Sequence, residues 1–426
     1  MTLARQAALV ALGLLAACSR PAEKGGLTLH LWAVGREGEV VEQLVPAFER
    51  ENPGVRVRVQ QIPWTAAHEK LLTAFVGNAT PDVAQLGNTW VSEFQALDAL
   101  QPLDPFVATS RTVDSAAYFG GIWSTNVLDD SLFGIPWYVD TRVIFYRTDL
   151  LARAGYRRIP ESWDGWVEAM RAVRAQMGPD QWPIFLPTNE WVQPMVLGMQ
   201  AGSPILRDGG RYGAFADTAF RRAFDFYIGL FRENLAPPFG NNDIVNPYQE
   251  FGRGRFAMWI TGPWNLGEFR RRLPPDLQDR WATAPLPGPT GAASGISLAG
   301  GSSLVMFRAS RHRPEAWRLM EFLSRPDQQL AFAHLTGDLP ARIDAWESSG
   351  LADSANLGAF WIQLHRTLPL PKVPETELIA TMVYQHAEQV IRGGVPVGTA
   401  LGGLDRDVNG VLAKRRWMLA RELTAR

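Results

Sequence analysis

The chain reads as an α/β protein whose parallel strands are covered by helices. Three observations carry this reading. Leu27, Leu29 and Leu31 alternate with Thr28 and His30 as far as Trp32, the period of a half-buried strand. Val40, Val41, Leu44, Val45 and Phe48 then share one helical face until Asn52-Pro53-Gly54 stops it. Val55, Val57 and Val59 mark a second strand, Ala66 to Val76 a second helix, and Pro81 to Leu86 a third strand. This order of strands and helices implies parallel strands joined by crossovers. Such sheets take ligands at the carboxyl ends of their strands. Those ends carry Trp32 with Arg36 and Glu37, then Trp64, then Asn88, Thr89 and Trp90.

The stretch Gly134 to Leu151, GIPWYVDTRVIFYRTDLL, is a backbone switch. Pro136 argues against a central strand at its own position, because it has no N–H for a ladder. Val143 to Tyr146 is a short apolar run that reads as a buried strand. Between them, Trp137 and Tyr138 offer flat apolar faces with polar edges, and Asp140 accepts paired hydrogen bonds. That group suits a polyhydroxylated ligand. The same residues would serve equally well as core rings beside a solvated turn carboxylate.

Further along, Ser162 stands where a helix N-cap is expected. Trp182 to Gly202 is loop and helix with Asn189, Glu190, Trp191 and Gln193. Asp217 is placed to cap a helix whose Phe220, Phe224, Tyr227, Ile228 and Phe231 form a core stripe. Arg255 to Ile260 is a short strand, and Thr261-Gly262-Pro263-Trp264 a sharp turn delivering a Trp at a helix start. Trp281 to Leu286 returns as a strand. Gly300-Gly301-Ser302-Ser303 leads into a strand at Leu304 to Phe307, and Pro314 opens a helix. Asp338 to Arg342 interrupts the pattern, and the remainder reads as mostly helical.

The 426 residues allow two or three domains and a large core. Net charge is -1, with no basic bias toward nucleic acid. Sixteen tryptophans exceed what a core readily buries, so some are expected to line a cleft. Arg5 and the apolar run Ala7 to Leu15 form an export signal too short to span a bilayer. Leu15-Ala16-Ala17 precede Cys18, the only cysteine, so no disulfide is possible. This resembles the lipobox of bacterial lipoproteins. It implies a signal peptide at 1–17, lipid on Cys18, a tether at 18–26, and a mature protein held by that lipid alone at a membrane face outside the cytoplasm.

His30, His68, His312, His334, His365 and His386 have no zinc-motif spacing. G-x-S-x-G, phosphate-loop and G-x-G-x-x-G patterns are absent from the sequence. No cofactor or metal is implied. Paired carboxylates for glycoside hydrolysis stay open, because a sequence does not fix their separation.

Taken in order, the lipobox, LHLWAVGREGEVVEQLVPAFERENPGVRV, TPDVAQL, GIPWYVDTRVIFYRTDLLARAG, PESWDGW, FGRGRFAMWITGPWN and the Gly300-Gly301 stretch with the Trp317 helix resemble one family. They are similar to bacterial extracellular solute-binding proteins of carbohydrate ABC transporters, the maltose-binding-protein-like lipoproteins. One departure is Gly165, where that family often has Glu; it touches a helix start rather than the ligand. The resemblance implies a type II periplasmic-binding-protein fold, with two discontinuous α/β lobes joined by hinge crossings. The first lobe would be 27–136 with 286–340, the second 137–285 with 341–426. Crossings would lie at Trp137 to Thr141, Ala284 to Pro287 and Leu339 to Ile343.

The resemblance also implies a site. Arg36 and Glu37 would bond sugar hydroxyls, Asn88, Thr89 and Trp90 form a second loop, and Asp140 supply a hinge carboxylate. Glu190 and Trp191 would serve from the second lobe, Trp264 stack on the sugar, Gly300 and Gly301 admit close backbone approach, and Arg342 join from the third crossing. Trp64, Trp137 and Tyr138 add rings. Partners would be a small carbohydrate, two permease subunits and a cytoplasmic ATPase, with the protein a monomer in the periplasm or cell envelope. A maltose- or trehalose-like α-glucoside is the favoured cargo. Glycerol phosphate, a polyol or a peptide are the alternative cargoes, and a secreted glycosidase is the alternative activity.

Overall fold

Two mixed sheets organise residues 26–425, which the computed structural model describes. The lipidation site expected at Cys18 and the signal segment 1–17 lie outside the described residues. The chain builds β1 (Leu27–Val34), β2 (Val55–Ile62), β3 (Val83–Gly87) and β4 (Ile135–Asp140) in the first sheet. It then crosses to β5 (Val143–Arg147), β6 (Trp182–Phe185), β7 (Phe256–Thr261) and β8 (Trp281–Ala284). It returns for β9 (Gly300–Met306) and β10 (Leu339–Pro340). The first sheet has the order β10-β4-β9-β3-β1-β2, the second β8-β5-β7-β6.

The strand pattern at the start of the chain forms as its periodicity requires. β1 runs parallel to β2, from Leu27 opposite Val55 to Val34 opposite Ile62, and parallel to β3. Helix Gly35–Glu51 covers this sheet with Val40, Val41, Leu44, Val45 and Phe48, all buried. β4, β9 and β10 are added antiparallel. In the second sheet the pleat divides the apolar residues between two cores. Phe145, Phe185 and Trp259 join one cluster, which continues into the first lobe. Ile144, Ile184 and Met258 join the other, with Trp166, Phe220, Phe224 and Tyr227.

Several local expectations need correction. Pro136 lies within β4, which is flanked on both sides. It is tolerated because the β4–β9 register breaks between Ser302 and Ser303, where Ser303 faces Pro136, and because β10 reaches only Tyr138 and Val139. The whole of Trp137 to Asp140 is therefore first-sheet strand, and the first crossing falls at Thr141–Arg142. Gly300 and Gly301 are strand residues, not a lead-in. Ser162 does cap its helix, accepting from the Gly165 N–H at 3.2 Å. Asp217 occupies an N-cap position but makes no side-chain cap bond.

Gly301 is required where it stands. Its φ is +120°, and a Cβ there would lie 2.3 Å from the Tyr138 carbonyl oxygen and 2.8 Å from Val139 Cα. Both contacts are backbone and cannot yield. Gly301→Ala should therefore cost about 3 kcal/mol or more in urea unfolding, combining strain and overpacking. Gly267→Ala, in a helix with nothing within 4 Å of the new methyl, should be neutral or stabilising.

Candidate functional site

A cleft of about 830 Å³, part of it open to solvent, lies where β3, β4 and β9 meet segments of the second lobe. Its aromatic side comes from element ends. Trp64 is the first residue of helix Trp64–Val76, directly after Pro63, so its ring stands proud of the strand end and is 41% exposed. Trp90 follows β3 and meets Trp64 edge to face, with centroids 5.7 Å apart. Trp191 precedes helix Val192–Gln200 and faces them across the gap.

The polar side is organised by Arg142, in the crossing between the sheets. Its Nη1 donates to Asp140 at 2.8 Å, and its guanidinium lies over the Trp264 ring at 4.6 Å. Trp264 itself is 47% exposed at the start of helix Trp264–Arg272. Glu190 lies close to the pair. Burial pushes its carboxyl up, while the charge of Arg142 pulls it down. Asn88 is 8% exposed; its Oδ1 accepts from Ser303 Oγ at 3.0 Å, while its Nδ2 has no partner among the described residues. Thr89 donates its hydroxyl to Glu377 across the gap. Gly300 and Gly301 present bare backbone to the cleft, since a Cβ on Gly300 would lie 2.4 Å from Asp140 Oδ1.

Beside this cleft sits a buried acidic layer. The Tyr138 hydroxyl donates to Glu37 at 2.9 Å and accepts from Ser302 at 3.0 Å. Burial raises the Glu37 carboxyl against the pull of its backbone, Tyr138 and Trp64 hydrogen bonds and of Arg36. Asp338, just before β10, is pushed up to about 7 by burial first, then by the charges of Glu37 and Asp140.

The structure therefore brings together Trp64, Asn88, Thr89, Trp90, Asp140, Trp191, Gly300 and Gly301. Trp264 and Glu190 join through Arg142. Glu37 and Tyr138 lie in the buried layer, and Arg36 is exposed and donates to the Leu335 carbonyl at 3.0 Å. Two expected site residues are placed elsewhere. Trp137 is 1% exposed and stacks on Phe332 at 4.4 Å, because the helix Pro326–Thr336 covers β4. Arg342 is buried and held by Asp344 at 2.9 and 2.6 Å and by the Thr112 carbonyl, with its guanidinium over the Tyr118 ring. Sequence reasoning missed Arg142, Lys372 and Glu377. Arg142 was in view, two residues after the hinge carboxylate in a run otherwise apolar. Lys372 falls in a Pro-rich stretch inside a region read as helical, and Glu377 in the first turn of the helix Thr376–Ile391 that follows it.

The sequence profile of the bacterial extracellular solute-binding proteins matches residues 32–330. The chain is similar to the sugar-binding protein MalE from the phytopathogen Xanthomonas citri: 46% identity over 92% of this chain and 99% of that one, with a TM-score of 0.90. An uncharacterised lipoprotein of Streptomyces antibioticus is 27% identical over 358 residues, 80% of this chain and 77% of that protein. The diacetylchitobiose-binding protein DasA of Streptomyces coelicolor is 24% identical over 327 residues, 74% of this chain and 73% of that protein.

The acidic layer has a measurable consequence. With Asp338 raised from 3.8 to about 7, the folded chain keeps a proton that the unfolded chain has released over that range. This group's contribution to stability therefore falls as pH rises from about 4 to about 7. Asp338→Asn should flatten that part of the stability profile and raise the thermal midpoint at pH 8. An unchanged profile in pH-dependent thermal unfolding would contradict the assignment.

Proposed function

As the chain belongs to the bacterial extracellular solute-binding proteins, we propose that it captures an intact small carbohydrate in this cleft and delivers it to an ABC importer. The observation that carries this is the lining itself. Indoles of Trp64, Trp90 and Trp191 flank a polar floor of Asn88, Asp140 and Arg142. A sugar has apolar C–H faces to lie on rings and hydroxyls to pair with amide, carboxylate and guanidinium. The printed descriptions of the relatives, sugar-binding for MalE and diacetylchitobiose-binding for DasA, support a carbohydrate cargo. An α-linked disaccharide such as maltose or trehalose is the cargo we assign.

In this reading the lobes move about the crossings, and the ligand shifts the balance toward a closed form that the permease subunits recognise. Trp64, Asn88, Thr89, Trp90, Asp140, Arg142, Trp191 and Trp264 make the contacts, with Glu190 and the Gly300–Gly301 backbone completing the floor. Glu37 and Tyr138 support Trp64 and the strand end from behind. No bond in the sugar is broken. The protein acts as a monomer, held outside the cytoplasm by lipid on Cys18; the likeness to a Streptomyces lipoprotein supports the anchor.

Truncating a ring at the centre of a binding site costs about 1–3 kcal/mol, and each 1.4 kcal/mol is about tenfold in affinity. Trp264→Ala and Trp191→Ala should each weaken binding of the sugar about tenfold or more by calorimetry, with unchanged unfolding midpoints. Unaltered affinity in both would remove the indoles from the site. Release of monosaccharide during incubation would replace the receptor reading with a hydrolase.

A further inference from the structure

A second cavity lies directly behind the first, and one segment separates them. Pro369, Leu370, Pro371 and Lys372 line the sugar cleft on one side and an open groove of about 1160 Å³ on the other. From the geometry of this wall, we infer that the Pro369–Lys372 segment is an end stop that limits the length of the carbohydrate chain the cleft accepts. The inference rests on the proposed carbohydrate cargo and adds its size class.

The segment is built to be stiff. Pro369, Pro371 and Pro374 each fix a backbone angle. Thr376 donates its hydroxyl to the Pro371 carbonyl at 2.6 Å, and the Val373 N–H donates to the same carbonyl at 3.0 Å. At its start, the Leu368 carbonyl accepts from the Ala299 N–H at 2.9 Å. Leu370 and Val373 anchor it in the second core.

It is also pinned to the opposite lobe. The Lys372 ammonium donates to the carbonyls of Ser124 at 3.2 Å and Val127 at 2.5 Å. Ser92 donates to the Val373 carbonyl at 3.1 Å. The Lys372 ammonium is spent on main-chain carbonyls, with the charges of Asp129 and Asp130 acting on it as well, which suits a strut holding a wall in place. A chain growing along the cleft toward this end meets a proline-stiffened barrier, with open groove beyond it. Such a steric barrier discriminates by excluding the longer ligand, not by holding the shorter one more tightly.

The test measures affinity for maltose, maltotriose and maltotetraose by calorimetry on the full-length protein and on Lys372→Ala, with unfolding midpoints as the fold control. Wild type should bind maltose about tenfold or more tighter than the longer two. Lys372→Ala should narrow that gap about fivefold or more, even if it weakens maltose binding by loosening the lobes. Lys372→Met, which keeps the side-chain length but has no donors, should narrow it likewise. Equal wild-type affinity for all three lengths would overturn the end stop. So would an equal loss for all three in Lys372→Ala, which would make the segment a clasp alone. Absence of binding to maltose and to every other sugar tried would instead remove the carbohydrate reading and the end stop with it.

Discussion

The cleft depends on where one guanidinium sits. Arg142 occupies the crossing between the sheets, bonded to Asp140 at the end of a first-sheet strand and laid over Trp264 at the start of a second-lobe helix. The ion pair is charge-assisted and largely withdrawn from water, which strengthens it relative to a surface pair. The ring contact adds about 0.5–2 kcal/mol. Arg142 therefore holds the Asp140 carboxylate and orients a ring, and it does both from the segment where the backbone passes between the sheets.

A second constraint shapes the floor. β9 packs so closely against β4 that Gly301 has no room for a methyl group, and one on Gly300 would strike the Asp140 carboxylate. The tight ladder leaves main chain exposed at the strand end, bordered by Asp140. Backbone groups carry no rotamer entropy to lose on binding, so this part of the floor is preorganised. The glycines thus follow from sheet packing first, and their suitability for a ligand comes as a consequence.

These constraints explain which parts were legible in the sequence. The β1–β3 region was readable because its periodicity is clean and its strands are joined by local crossovers. Ser162 was readable as a cap because capping is local chemistry. β4 was not, since Pro136 is acceptable only through a register break with a strand more than 160 residues later. Trp137 and Arg342 looked like ligand residues by position. Their burial is decided by a covering helix and by Asp344 and Thr112, which pattern does not reveal. Trp264 was legible because it stands at a helix start after proline, and Trp64 because it follows the carboxyl end of a strand; at both places a ring projects from the end of an element. Lys372 and Glu377 were invisible because their meaning lies in what they touch on the other lobe.

Those cross-lobe contacts bear on how cargo is chosen. Thr89 to Glu377, Ser92 to the Val373 carbonyl and Lys372 to two carbonyls join the lobes through protein groups alone. A ligand shifts an open–closed balance only by its differential affinity for the two forms. Where the protein supplies part of the closing energy, the cargo need supply less, and selectivity must come from somewhere other than closure itself. In the proposed function, Asn88 at the cleft lining is the candidate to provide it. Its Oδ1 is tied to Ser303, while its Nδ2 is buried and unpaired among the described residues at the cleft wall. An unpaired buried donor costs about 1–3 kcal/mol, which a correctly placed acceptor restores. A ligand lacking an acceptor at that point leaves the penalty in force even when the lobes close. On the proposed carbohydrate cargo, selection by hydroxyl position would follow from this one polar atom.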